Sequence, residues 1–156
     1  MTRQAVLDQI LAVLREELQT LTQAAQGSFA AATDPDSRAE NKYDTRTLEA
    51  SYVARGQARR VTELQEAVQA FTALTVTSPT PAASIQLGSL VNLQAPWGEE
   101  HFFLGPFAGG TEVQFEGTEI VVITPASALG QKLVGRHPGD TILLRPDAPA
   151  RISRVA

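Results

Sequence analysis

The sequence predicts an α+β protein: an N-terminal antiparallel coiled-coil hairpin of two long helices, then a small, mostly antiparallel sheet with one short helix. Three observations predict it. Apolar or small residues recur every three or four positions through residues 1–74. The composition breaks near residue 75, where the proline- and threonine-rich run TVTSPTPAA begins. Beyond it the apolar period shortens to that of strands, punctuated by glycine-bearing turns. The expected organisation is a hairpin at 1–74, a linker at 75–83 and a sheet domain at 84–156.

The first helix is predicted from Thr2 to Ala32, a stretch without proline and with Gly27 as its one glycine. Leu7, Leu11, Leu14, Leu18, Leu21, Ala25, Ser28 and Ala32 are spaced alternately four and three apart, which is a heptad seam. Val6, Ile10 and Val13 widen it near the start. So narrow a seam requires a partner helix. Leu48, Ser51, Ala54, Ala58, Val61, Leu64, Val68 and Phe71 supply one, again three or four apart. The first seam is bulky early and small at Ala25, Ser28 and Ala32, and the second is small near Ala54 and bulky near Phe71. Antiparallel pairing therefore sets small against small near the turn and large against large at the base.

The turn falls around Thr33 to Asp36, with the hairpin tip expected at 33–44. Pro35 ends the first helix and disfavours a helical conformation at Asp34. Asp36 or Ser37 is placed to cap the second helix, with Glu40 in its first turn. After the linker, SLVNLQA and EEHFFLG read as strands around Pro96–Gly98, and TEVQF and EIVVIT as strands around Glu116-Gly117. ASALGQKLVG is a short helix ending at Gly135. DTILLRP and ARISRV close the sheet. GPFAGG does not have phosphate-loop spacing and reads as a strand-to-strand turn.

Composition excludes several function classes. The chain has 156 residues, 43% of them hydrophobic, which is enough for a packed core. It has no cysteine, so a disulfide framework and thiolate metal ligation are both excluded, and a reducing cytoplasmic setting is expected. No signal peptide or membrane-spanning stretch is read, so no membrane partner is expected. The two histidines, His101 and His137, stand far apart. A net charge of −4 argues against duplex nucleic acid as the main partner.

Asp34, Asp36, Glu40 and Asp44 gather at the tip, and two readings are open. Carboxylates there complement the positive end of the helix dipole, each contributing about 0.3–1 kcal/mol. Alternatively they form an oxygen-rich cluster for a hard cation such as Mg²⁺, which takes one or two protein carboxylates and completes its octahedron elsewhere. Arg46, Arg55, Arg59 and Arg60 are open in the same way. They form a solvated face with local ion pairs, or they contact RNA phosphates or acidic walls.

Three stretches carry a resemblance to a known family. LREEL, Leu14 to Leu18, matches a common run in its first helix. Glu40-Asn41, followed at the family spacing by Gly56, matches its ENAEY stretch. ITPASALGQKLVGRHPGDTI, Ile123 to Ile142, matches its signature of a serine-proline-leucine-glycine-like turn, a short helix ending in glycine, and a glycine-aspartate pair before a strand. Over nearly its whole length the chain resembles the GreA/GreB transcript-cleavage factors of bacterial RNA polymerase.

The resemblance implies an FKBP-like C-terminal domain that docks on the rim of the polymerase secondary channel, and a hairpin that enters the channel. It implies an accessory factor, not an enzyme: a monomer that completes the polymerase's own site. Asp36 and Glu40 would share Mg²⁺ with the polymerase when RNA has backtracked, with Asp34 and Asp44 as substitutes. The arginines would meet the nascent RNA 3′ end or the channel wall. The chain also departs from the family. The family's two acids are spaced D-x-x-E, but three residues before Glu40 stands Ser37, and the nearest acid, Asp36, is four before. The run from Leu14 to Glu40 is about one helical turn shorter, roughly 5 Å. Those departures set a channel competitor without cleavage activity, anti-Gre or Rnk-like, beside the cleavage factor. A generic coiled-coil interaction arm is a third alternative.

Overall fold

The computed structural model describes residues 1–33, 46–74 and 84–156, with side chains described at 1–27, 54–74 and 84–156. Two long helices come first, α1 (Arg3–Thr33) and α2 (Arg46–Ala73). They are followed by β1 (Leu90–Ala95), β2 (Gly98–Leu104), β3 (Glu112–Phe115), β4 (Thr118–Ile123), α3 (Ala128–Leu133), β5 (Thr141–Arg145) and β6 (Ala148–Val155). The architecture is α+β, as the two apolar periods predict. Among the described residues, no helix is long and apolar enough to cross a membrane.

The chain forms two compact units, one of Met1–Ala12 with Gln69–Ala156 and one of Val13–Val68. The start of α1 and the end of α2 thus group with the sheet. Their side chains explain why: Val6, Leu7, Ile10 and Phe71 are completely buried, and Leu11 and Leu74 nearly so.

In the sheet-containing unit the strand order is β3-β4-β2-β1-β6-β5. The pairs β1–β2, β1–β6, β3–β4 and β5–β6 are antiparallel. The sheet is mostly antiparallel, as the sequence predicts, with one parallel pair: β2 and β4, with His101 opposite Ile120 and Leu104 opposite Ile123. The cause is the tight β3–β4 hairpin, whose Glu116-Gly117 turn has φ of 50° and 77°, as a primed hairpin turn requires. With β3 outermost, β4 returns in the direction of β2. The GPFAGG segment makes the crossing beside β4, where Gly105 N donates to the Ile123 carbonyl (2.8 Å) and Gly110 N to the Val122 carbonyl (2.8 Å).

Both faces of the sheet carry apolar cover. On one, Val91, Leu93, Phe102, Leu104, Ile142 and Ile152 form a buried cluster that includes Leu133 of α3. Alternation sends Phe103 to the other face. There its ring lies 6.2 Å from that of Phe71 at an interplanar angle of 33°. Each such fully buried side chain is worth about 1.5–3 kcal/mol. The Arg3 guanidinium ties the same region together: Nε donates to the Gly88 carbonyl and Nη2 to the Leu74 carbonyl (3.1 Å). Arg3 therefore holds both chain segments that flank the 75–83 stretch.

Candidate functional site

The Val13–Val68 unit is built from α1 and α2. The two helices run in antiparallel register. Arg3 meets Leu74, and Glu17 meets Arg60, fourteen residues further along α1 and fourteen back along α2. From Val13 to Thr33 the helix rises about 30 Å, and the acidic stretch joins Thr33 to Arg46 at that end.

The seam is filled as its residue sizes dictate. Leu14 and Leu64 are buried at 0% and 1% exposure. Leu18, Leu21 and Ala25, further along α1, are half-buried. On α2, Val61 and Ala54 are half-buried, while Ala58, expected in the seam, is exposed. Alanine is too short to close the interhelical space. The result is an open, mainly apolar groove of about 420 Å³ lined by Thr22, Ala25 and Gln26 of α1 and Ala58, Val61 and Thr62 of α2.

The four arginines separate. Arg60 is committed, with Nη2 3.1 Å from Glu17 Oε1 and Nη1 3.4 Å from Glu63 Oε2. All three side chains are about half exposed, so these pairs contribute less than about 1 kcal/mol each. Arg55 and Arg59, one helical turn apart on the same side of α2, are exposed, and Arg55 is already engaged by a neighbouring group. Arg46 opens the described part of α2, and its side chain is outside the described residues. Asp34, Asp36, Glu40 and Asp44 also lie outside the described residues, so the Asp36–Glu40 pairing for Mg²⁺ rests on the sequence. Among the described residues, no group of three His, Cys, Asp or Glu is arranged to hold a metal ion.

Within the Ile123–Ile142 stretch, four residues have a structural role. Ser127 caps α3: its Oγ accepts from Gly130 N (3.0 Å) and donates to the Thr124 carbonyl (2.7 Å). Gly130 is obligatory, because a Cβ there would lie 1.9 Å from the Thr124 carbonyl oxygen. Gly135 ends the helix at φ +81° and donates its N–H to the Ile85 carbonyl. Asp140 Oδ2 accepts from His137 N (2.9 Å), closing the turn before β5. Ser127, Gly130, Gly135 and Asp140 thus each hold backbone of the sheet-containing unit.

Sequence reasoning missed a surface cluster. Trp97, in the β1–β2 turn, is 47% exposed, and the Arg145 guanidinium sits 4.5 Å from its ring centroid. An exposed tryptophan in a turn was the available signal. His101 lines an open groove of about 440 Å³ with Glu99, Glu100 and Glu119, and its buried Nδ1 has no hydrogen-bond partner among the described residues.

The fold and surface define a class, an α+β chain with a paired-helix unit and a mixed six-stranded sheet. Against known proteins, no family model and no curated relative matches the chain. Among solved structures it is similar to the crystal structure of GreA factor homolog 1 (Gfh1) of Thermus thermophilus. The identity is 21% and the TM-score 0.38, over 97% of this chain and 93% of that one. It is also similar to Thermus aquaticus Gfh1, at 19% identity and TM-score 0.37 over 97% and 92% of the two chains. A further structure, of the transcription factor Gfh1, is 24% identical, with a TM-score of 0.37 over 97% and 91%.

Proposed function

We propose that the protein is a Gre-like transcription factor that binds RNA polymerase at its secondary channel and brings an acidic hairpin tip to the polymerase active site. The observation that carries this reading is the position of the acids. In the sequence they fall between Thr33, the last residue of α1, and Arg46, the first of α2. The sequence likeness at Leu14–Leu18, Glu40-Asn41 and Ile123–Ile142 supports it.

Asp36 and Glu40 are the pair that would hold a Mg²⁺ shared with the polymerase, with Asp34 and Asp44 as substitutes. Bound there, the ion would supply a metal-activated water and charge stabilisation for phosphodiester hydrolysis. The chain's own part is positioning. Paired helices fix where the carboxylates arrive, and their negative charge keeps the cation at the end of the arm. Arg55 and Arg59, together with Arg46, are the residues that would meet the RNA 3′ end, since arginine donors match phosphate oxygens. The factor performs no chemistry alone and acts as a cytoplasmic monomer on another enzyme's site.

Ser37 favours a second reading. The acid one step earlier, at Asp36, is rotated by about 100° if this stretch is helical, and misplacements near 1 Å cost orders of magnitude in rate. A tip that enters the channel without completing the site would compete with a cleavage factor.

Halted, backtracked elongation complexes separate these readings. A cleavage factor shortens the RNA, and Asp36→Ala with Glu40→Ala abolishes shortening while binding persists. A competitor leaves the RNA intact and inhibits cleavage by a genuine Gre factor. Full cleavage by the double variant would remove the tip assignment.

A further inference from the structure

We propose that the free edge of β5 is a self-pairing surface for a second copy of this chain, and that Lys132 keeps that edge closed. The device is independent of polymerase binding, since every residue involved belongs to the sheet-containing unit.

β5 ends the strand order β3-β4-β2-β1-β6-β5, so within the sheet it pairs with β6 alone. An edge strand offers its backbone N–H and C=O groups to any incoming strand. At the middle of this one, Leu143 stands opposite Pro149. Proline has no N–H to give, so the Leu143 carbonyl receives no ladder hydrogen bond from the residue it faces. Lys132, in the last turn of α3, supplies a donor instead: its Nζ lies 2.9 Å from that carbonyl oxygen. Both residues are exposed, Leu143 at 53%. Water could therefore satisfy the carbonyl without help. What the lysine adds is an ammonium group held against the middle of the edge. An incoming strand must displace it or bring its own backbone N–H against a positive charge. The register shift between Leu143 and Arg145 is a second obstacle, because a bulge bends the strand away from flat pairing.

The residues of the edge select the partner. In an antiparallel pair of β5 strands aligned on Leu143, each leucine meets its counterpart in the second copy. Ile142 then falls opposite Leu144, and Thr141 opposite Arg145. No like charges are directly opposed, and the exposed leucine gains an apolar cross-strand neighbour. The Arg145 guanidinium is drawn aside, 4.5 Å from the Trp97 ring centroid. Such a two-fold contact is isologous, so a single self-complementary patch is enough to form it. With Lys132 in place the chain stays a monomer. With its donor removed, the edge is open to its own copy.

Sedimentation velocity of the full chain and its variants over a concentration series tests this. Lys132→Ala should dimerise at concentrations at least about tenfold below any at which the unchanged chain does. Lys132→Arg keeps a donor and a charge and should behave like the unchanged chain. Leu143→Lys, added to Lys132→Ala, sets like charges opposite each other across the two-fold and should restore the monomer. Hydrogen exchange locates the contact: the β5 amides of Lys132→Ala should exchange more slowly at high than at low concentration, and those of the other edge strand, β3, should not change. Thermal melts confirm that each variant folds, and Lys132→Met, which keeps an unbranched stem without a donor, replaces Lys132→Ala if that variant does not. Lys132→Ala remaining monomeric throughout the series overturns the proposal. So does a dimer whose β5 amides gain no protection, and so does equal self-association by the unchanged chain.

Discussion

A Cβ built on Gly105 would lie 2.5 Å from Cζ of Phe71. The glycine closing β2 thus makes room for the aromatic residue near the end of α2. Gly105→Ala should destabilise the protein by about 1–3 kcal/mol through overpacking. Phe71→Ala should cost about 3–5 kcal/mol through the cavity it leaves. In a double-mutant cycle the two should be strongly non-additive, since the small residue vacates the space the methyl needs. Urea unfolding of the single and double variants measures this.

Gly130→Ala should be among the most damaging single-methyl changes in the chain. The added carbon would meet a backbone oxygen that is itself held by Ser127. Ser127→Ala should cost about 1 kcal/mol, the usual value of an N-cap. Both losses should appear as altered amide exchange in α3 and the preceding turn.

Arg3→Met should cost about 1–3 kcal/mol by leaving the Leu74 and Gly88 carbonyls without their donor. Burial lowers the Arg3 pKa from its ordinary value. The folded state therefore binds this proton less tightly than the unfolded state. The associated penalty is constant below the folded pKa and is relieved only as pH rises through it. Guanidinium stays charged across the working range, so the wild-type-minus-variant stability difference should be flat between about pH 5 and 9. A sloping difference curve would show that Arg3 is coupled to a second titrating group.

Gly27 and Gly56 sit inside α1 and α2, where a Cβ would meet nothing within 4 Å. No packing demands them, and alanine should add up to about 1 kcal/mol of helix stability at each. Slower hydrogen exchange in the Val13–Val68 unit of the double alanine variant checks this.

Legibility in the sequence followed the range of the interactions. Heptad spacing identified Leu7, Leu11, Leu14, Leu64 and Phe71 as buried, because a helical period is local. It also placed Ala58 in the seam, although alanine leaves that position open, and it omitted Ala67, which is 3% exposed. Turn residues located all six strands, yet the parallel β2–β4 pairing was invisible, being decided by which strand takes the sheet edge. The Arg3 clamp and the Trp97–Arg145 stack join residues distant in sequence, and no spacing rule reaches them. Of the candidate site, local ion pairing of the arginines was one of two open readings; Arg60 pairs locally with Glu63, and its second partner, Glu17, lies on the other helix.

Whether the acidic tip reaches the polymerase active site, as proposed, is decided by a photo-crosslinking residue at Asn41, beside Glu40, in a complex with core polymerase and a backtracked RNA. Crosslinks are expected to the polymerase around its catalytic aspartates or to the RNA 3′ end, lost on addition of excess unlabelled protein. Binding to polymerase with crosslinks confined to its outer surface would rule the proposal out.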